Sequence, residues 1–160
     1  MKDILQDVVK HTHSLGFIDL VKIVGNDKKT EMDAMAEDRS VVVKAEFKNS
    51  VNEMQGTFGM PNLGKLDILL KLPVYKDNAK ITVNTQERNG ANVPTGLHFV
   101  NDNQDFQNDY RFMNAEIVNE KLKSVKFRGV NWHVNIKPTM PDVQRLNFQA
   151  QANSEEGTFV

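Results

Sequence analysis

A helix-then-strand unit recurs three times along this chain of 160 residues. Residues 3–15 form an amphipathic stretch that stops at Gly16 and runs into a β-like segment, 17–24. Residues 62–72 lead in the same way through Pro73 and Lys76-Asp77-Asn78 into 79–83. Residues 141–153 lead through 154–157 into Thr158-Phe159-Val160. Such a unit cannot bury its apolar stripe alone, so the recurrence predicts one layer of helices packed on an extended sheet. The third copy breaks off as its strand begins, which predicts a chain lacking its last part.

Periodicity places the elements. In the first stretch Ile4, Leu5, Val8, Val9 and Leu15 fall on one side by the i, i+3, i+4 rule. Asp3 and Asp7 suit the start of that helix and Gly16 its end. Strands are predicted over 17–24, 30–35 and 41–47, the last with Val41, Val43, Ala45 and Phe47 on one face. Residues 54–58 suggest another short strand. In the second helix the inward stripe is Leu63, Leu66, Leu69 and Leu70, and Pro73 ends it. Strands at 79–85 and 97–100 are separated by a loop holding Gly90, Pro94 and Gly96. The polar stretch 101–109 reads as a connector. Alternation resumes with Val125 and Phe127, slips by one at Gly129, and continues through Val130, Trp132, Val134 and Ile136. The third helix turns Val143, Leu146 and Ala150 inward. These elements predict an α+β fold with helices on one face of antiparallel sheets. They divide it into a first domain at 1–108 and an incomplete second at 109–160.

Composition excludes more than it assigns. The chain is 39% hydrophobic, enough for a core, and carries net charge −1, so any basic footprint is local. It has no cysteine, which removes disulfide frameworks and thiol chemistry. Nothing at the N-terminus resembles a signal peptide, and no apolar run approaches the roughly 20 residues that span a bilayer. A cytoplasmic protein without membrane contact is expected.

Catalytic patterns are missing from the sequence. The nine glycines give neither Walker nor Rossmann spacing, and no Gly-x-Ser-x-Gly elbow occurs. His11 and His13 would share a face on a strand but point about 200° apart on a helix, so a shared metal is not expected. His98 and His133 read as sheet residues. Asp33, Glu37 and Asp38 cluster at a turn and read as a solvated loop. A non-enzymatic protein without metal or cofactor is therefore expected.

A local basic stripe remains. Lys2, Gln6, Lys10 and His13 recur on the first helix, Lys65 and Lys71 lie on the second, and Arg145 and Gln149 on the third. Long flexible donors without interleaved aromatics suit nonspecific phosphate contact better than base reading.

The order of helix, strands, helix, strands, connector, strands and helix resembles a DNA polymerase sliding clamp of the T-even-type bacteriophage kind. Short stretches carry the resemblance. Asp7-Val8-Val9-Lys10 through 17–24 is similar to the opening helix and first long strand of such clamps. Met60-Pro61-Asn62-Leu63-Gly64-Lys65-Leu66-Asp67-Ile68-Leu69 is similar to the second helix of the first clamp domain, and 78–85 to the strand after it. Val143-Gln144-Arg145-Leu146 takes the place of the first helix of domain two. The departure is at the end, where the remaining strands and second helix of domain two are missing.

The resemblance implies a DNA-clamp-like fold and a processivity factor that encircles duplex DNA as a ring and tethers the replicative polymerase. It implies a homo-oligomer, a ring trimer in the family, with the polymerase and a clamp loader as partners. DNA contact falls to Lys2, Lys10, His13, Lys65, Lys71, Arg145 and Gln149. A polymerase tail would dock near the segment linking the domains, where Tyr110, Phe112 and Met113 follow the polar stretch. The alternative is a phage structural or assembly protein that uses exposed sheet edges for protein contact. A small-ligand enzyme would need a closed pocket with converging polar groups. The shortened second domain also predicts that Trp132, Val134, Ile136, Val143 and Leu146 stay partly exposed and favour self-association over ring closure.

Overall fold

The computed structural model describes residues 1–75, 79–88, 90–123 and 131–155. The helix α1 (Lys2–His11) buries Leu5, Val8 and Val9, as their spacing requires, with Asp3 in its first turn and Lys10 and His11 in its last. It ends four residues sooner than expected. Thr12 is buried, its hydroxyl donates to the Val8 carbonyl at 2.6 Å, and its φ of −130° breaks the helix. A 3₁₀ turn, His13–Leu15, follows and is closed by Gly16 at φ 86°. Leu15 therefore lies exposed on this turn rather than on the inward stripe.

Four strands form the first sheet: β1 (Leu20–Gly25), β2 (Thr30–Met35), β3 (Val42–Glu46) and β4 (Gly56–Pro61), in the order β3-β2-β1-β4. All neighbours are antiparallel. Val21 faces Ala34 and Met60, and Ile23 faces Met32 and Phe58, so these six share one buried face. The expected alternation of the third strand holds there, since Val43 opposes Ala34 and Ala45 opposes Met32. The first strand starts later than expected, at Leu20, and leaves Phe17 exposed.

The helix α2 (Leu63–Lys71) lies on the same core and buries Leu63, Leu66, Leu69 and Leu70. Its N-cap residue, Asn62, is left-handed at φ 55° and makes no side-chain cap. Asp19 supplies the cap from across the fold. Its carboxylate accepts the Gly64 N–H at 3.3 Å, and its carbonyl accepts that of Leu63 at 3.3 Å. After Leu72 a 3₁₀ turn, Pro73–Tyr75, brings Tyr75 into the core.

A second antiparallel sheet follows, β5 (Lys80–Arg88), β6 (Ala91–Val100) and β7 (Gln107–Arg111), in that order. The expected loop at Pro94 and Gly96 is in fact part of β6. The register shifts at Asn84/Thr85, so Thr95 is an extra residue beside Pro94, and a bulge is where a strand tolerates proline. The expected connector 101–109 is a turn followed by β7. Asn101 builds that turn, accepting the Phe106 N–H at 3.0 Å and donating to Asp105 at 2.6 Å.

Gly59 and Met113 exchange backbone hydrogen bonds of 2.8 and 2.7 Å, which joins the end of β7 to β4. Next comes a helix absent from the sequence reading, α3 (Ala115–Lys121), capped by the Asn114 side chain. It seats Val118 over Gly59, where an added Cβ would lie 2.8 Å from Val118 Cγ2. Gly59 alternates with the inward Phe58 and Met60, so α3 covers the sheet face opposite α1 and α2.

Contacts divide the chain at Val125, into Met1–Val125 and Lys126–Val160. Residues 109–123 thus pack with the first unit rather than opening a second, because β7 pairs with β6 and α3 packs on β4. In the second unit, 131–139 are irregular where a strand was expected, and Trp132, Val134 and Ile136 are exposed. There α4 (Met140–Ala152) starts in a capping box between Thr139 and Asp142 and buries no residue. Val143, Leu146 and Ala150 do not turn inward: all three are exposed on α4. The expected turn at Lys76-Asp77-Asn78, the strand start at 124–130 and the final 158–160 strand lie outside the described residues. Among the described residues no helix is long and apolar enough to cross a membrane.

Candidate nucleic-acid interface and partner grooves

The helices α1 and α2 touch side by side, and the contacts at their two ends make them antiparallel. Lys2, at the start of α1, donates from Nζ to the carbonyl of Tyr75, just beyond α2, at 2.6 Å. At the other end the His13 ring packs on Gly64, whose added Cβ would lie 3.3 Å from His13 Cε1. Small size at position 64 is what lets the two elements approach. Five of the seven expected DNA contacts, Lys2, Lys10, His13, Lys65 and Lys71, fall on these two helices and the turn after α1.

Most of these side chains are already engaged. Lys65 donates to the Asp109 carbonyl at 3.0 Å, and Lys71 pairs with Asp67 at 2.7 Å. His13 lies 3.9 Å from Asp19. Lys10 is exposed and makes no ion pair among the described residues. Exposed ion pairs of this kind are worth at most about 1 kcal/mol, so Lys71 stays free to exchange Asp67 for a phosphate. Arg145 and Gln149 belong to α4 in the second unit; Arg145 is exposed and 4.0 Å from Asp142.

The three residues expected to meet a partner have different fates. Tyr110 is only 2% exposed, and its hydroxyl donates to the Pro61 carbonyl. Burial, with a smaller effect of Asp19, pushes its phenol far above the ordinary range. It is a core anchor, which its place opposite Leu97 on β6 dictates. Phe112 is half-buried, stacked on Phe58 with ring centres 4.5 Å apart and edge-on to Tyr110 at 6.0 Å. Met113 lines three grooves, one of which, about 360 Å³, it shares with Tyr110, Phe112 and Lys65.

One groove, about 450 Å³, has Phe17, Leu20, Met35, Met113 and Leu122 as apolar lining and Asp19, Glu37, Arg39 and Lys121 as charged lining. Another, about 440 Å³, runs between Phe112, Met113, Val93, Pro94 and Arg88. Sequence reasoning missed Phe17, Met35 and Leu122. Phe17 carried a usable signal, a large apolar side chain directly after the helix-stopping Gly16.

Two polar features were also hidden. Asp33 is not a loop residue but sits in β2 opposite Lys22, with the ion pair closed at 3.2 Å and the lysine buried. His98 lies in β6 with Nδ1 2.8 Å from the Asp109 carboxylate on β7. Glu37 and Asp38 do lie on the exposed turn, where Ser40 donates to Asp38 from both its amide and its hydroxyl and holds that carboxyl below its usual range. Among the described residues no three histidine, aspartate or glutamate side chains converge as a metal site would need. No protein-family model matches the chain, and a search of curated protein sequences returns no match.

Proposed function

We propose that this chain acts as a sliding-clamp-like processivity factor, contacting duplex DNA through the α1–α2 layer and holding a replicative polymerase through the Met113 grooves. The observation that carries the reading is the antiparallel helix pair laid on one face of antiparallel strands, with lysines on the layer. A clamp needs no catalytic group. It holds DNA by topology, so diffuse positive charge serves it better than tight phosphate contact, which would oppose sliding. Ring formation would use the outer strands β3 and β5, each of which has one side unpaired among the described residues. A clamp loader would open that ring. In the second unit, Arg145 and Gln149 would contact DNA in their own right.

The test is duplex binding. Affinity is expected to be independent of sequence and to fall steeply with salt. Lys10→Glu with Lys65→Glu should lower both affinity and polymerase processivity. Binding unchanged by the charge reversal would refute the assignment. A second reading, an assembly protein working through its strand edges without DNA, is favoured by the engagement of Lys2, Lys65 and Lys71 within the fold. Under that reading the double reversal leaves function intact, and proline substitutions in β3 or β5 abolish it.

A further inference from the structure

The charge balance of the helical layer is delicate. On α1 and α2, Lys2, Lys10, Lys65 and Lys71 stand against Asp3, Asp7 and Asp67, a surplus of one positive charge. Two more groups sit at the end of α1 beside Lys10: His11, exposed in the last turn, and His13, on the 3₁₀ turn against α2. Histidine is the side chain whose charge ordinarily changes between pH 5 and 8. Protonating both would triple the layer's net charge.

We propose that protonation of His11 and His13 gates the affinity of this layer for duplex DNA, so that binding is coupled to proton uptake. The inference rests on the proposed function and adds its regulation. His11 Nδ1 lies 2.8 Å from the Asp7 carbonyl. A carbonyl only accepts, so Nδ1 carries the hydrogen and Nε2 remains to take up the proton and present it to a phosphate. The charged groups around the His11 groove are Asp7 from α1, and Glu46 and Lys48 from β3 and the segment after it. His13 faces the Asp19 carboxylate at 3.9 Å and Gly64, which adds no charge of its own.

The experiment titrates the full chain with a short duplex at fixed low salt between pH 5.5 and 8. Each protonated histidine near a phosphate should raise affinity about fivefold. It should also steepen the dependence on log salt by about 0.9. Wild-type affinity is expected to fall at least tenfold as pH rises, and His11→Gln/His13→Gln to flatten that profile. His11→Gln alone, at an exposed site, should remove about half of it, which guards against misfolding of the double variant. Lys10→Gln should lower affinity at every pH while keeping the slope. Binding that is unaffected by pH, or a slope that survives the double variant, overturns the gating and leaves the DNA reading standing. No duplex binding at any pH overturns both.

Discussion

The helices α2 and α4 follow the same sequence design and meet opposite fates. Each has apolar residues at helical spacing and a proline-marked end. Yet α2 buries four leucines, while α4 buries nothing. The same holds for alternating runs. Val21 and Ile23 are enclosed between β2, β4 and the helices, whereas Trp132, Val134 and Ile136 alternate just as well and stay exposed. Amphipathic periodicity is thus only permission to pack. Burial comes from a second element that presents a matching face, and the described residues of the first unit supply seven strands to do so.

The largest expected effect breaks or confirms that contrast. Phe58→Ala removes a ring that is fully buried and stacked on Phe112, and should cost about 3–5 kcal/mol in urea unfolding. Phe148→Ala, at a ring 72% exposed on α4, should change stability by no more than about 0.5 kcal/mol. Comparable losses at the two sites would mean that α4 is packed after all.

A middling effect sharpens the role of α3. Gly59→Ala forces a methyl against Val118 and should cost about 1–3 kcal/mol. Val118→Ala in the same chain should recover part of that loss, and strict additivity of the two substitutions would show that they do not touch. Tyr110→Phe is smaller, about 1 kcal/mol, because it deletes one hydrogen bond to the Pro61 carbonyl and keeps the ring.

The smallest effect concerns the second unit and pH. Donation from Thr139 holds the exposed Asp142 carboxyl below its usual range. A depressed folded value means the cap stabilises α4 above the ordinary carboxylate range and is lost as pH falls through the folded value. The protection of the amides between 139 and 143, relative to their intrinsic exchange rates at each pH, should therefore fall in acid. In Asp142→Asn that pH-dependent loss of protection should vanish, and an unchanged profile there would assign it to another group.

Much of the fold was legible because it is local. The leucines of α2 and the run 30–35 are written in spacing and residue type, and each is where the pattern puts it, whereas Gly16 closes a 3₁₀ turn and not α1, which stops at His11. What escaped is not local. The cap on α2 comes from Asp19, and the partner of Asp33 is Lys22 across a hairpin whose register no single segment reveals. Pro94 looked like a loop residue because the bulge that accommodates it depends on β5. The polar run 101–109 hid β7, since a strand with one buried residue, Tyr110, has almost no apolar signal. The site divides in the same way. Residue type picked out the helix cations, but whether each was free depended on distant carbonyls and carboxylates, and the grooves at Met113 needed three segments brought together.

Hydrogen–deuterium exchange of the full chain, with and without a short duplex at low salt, tests the central claim most directly. Protection is expected over α1, the turn at His13–Leu15 and α2, with the strands β1, β2 and β4 unchanged. Protection confined to β3 and β5, or none at all while the duplex binds elsewhere, would contradict the assignment of the helical layer to DNA.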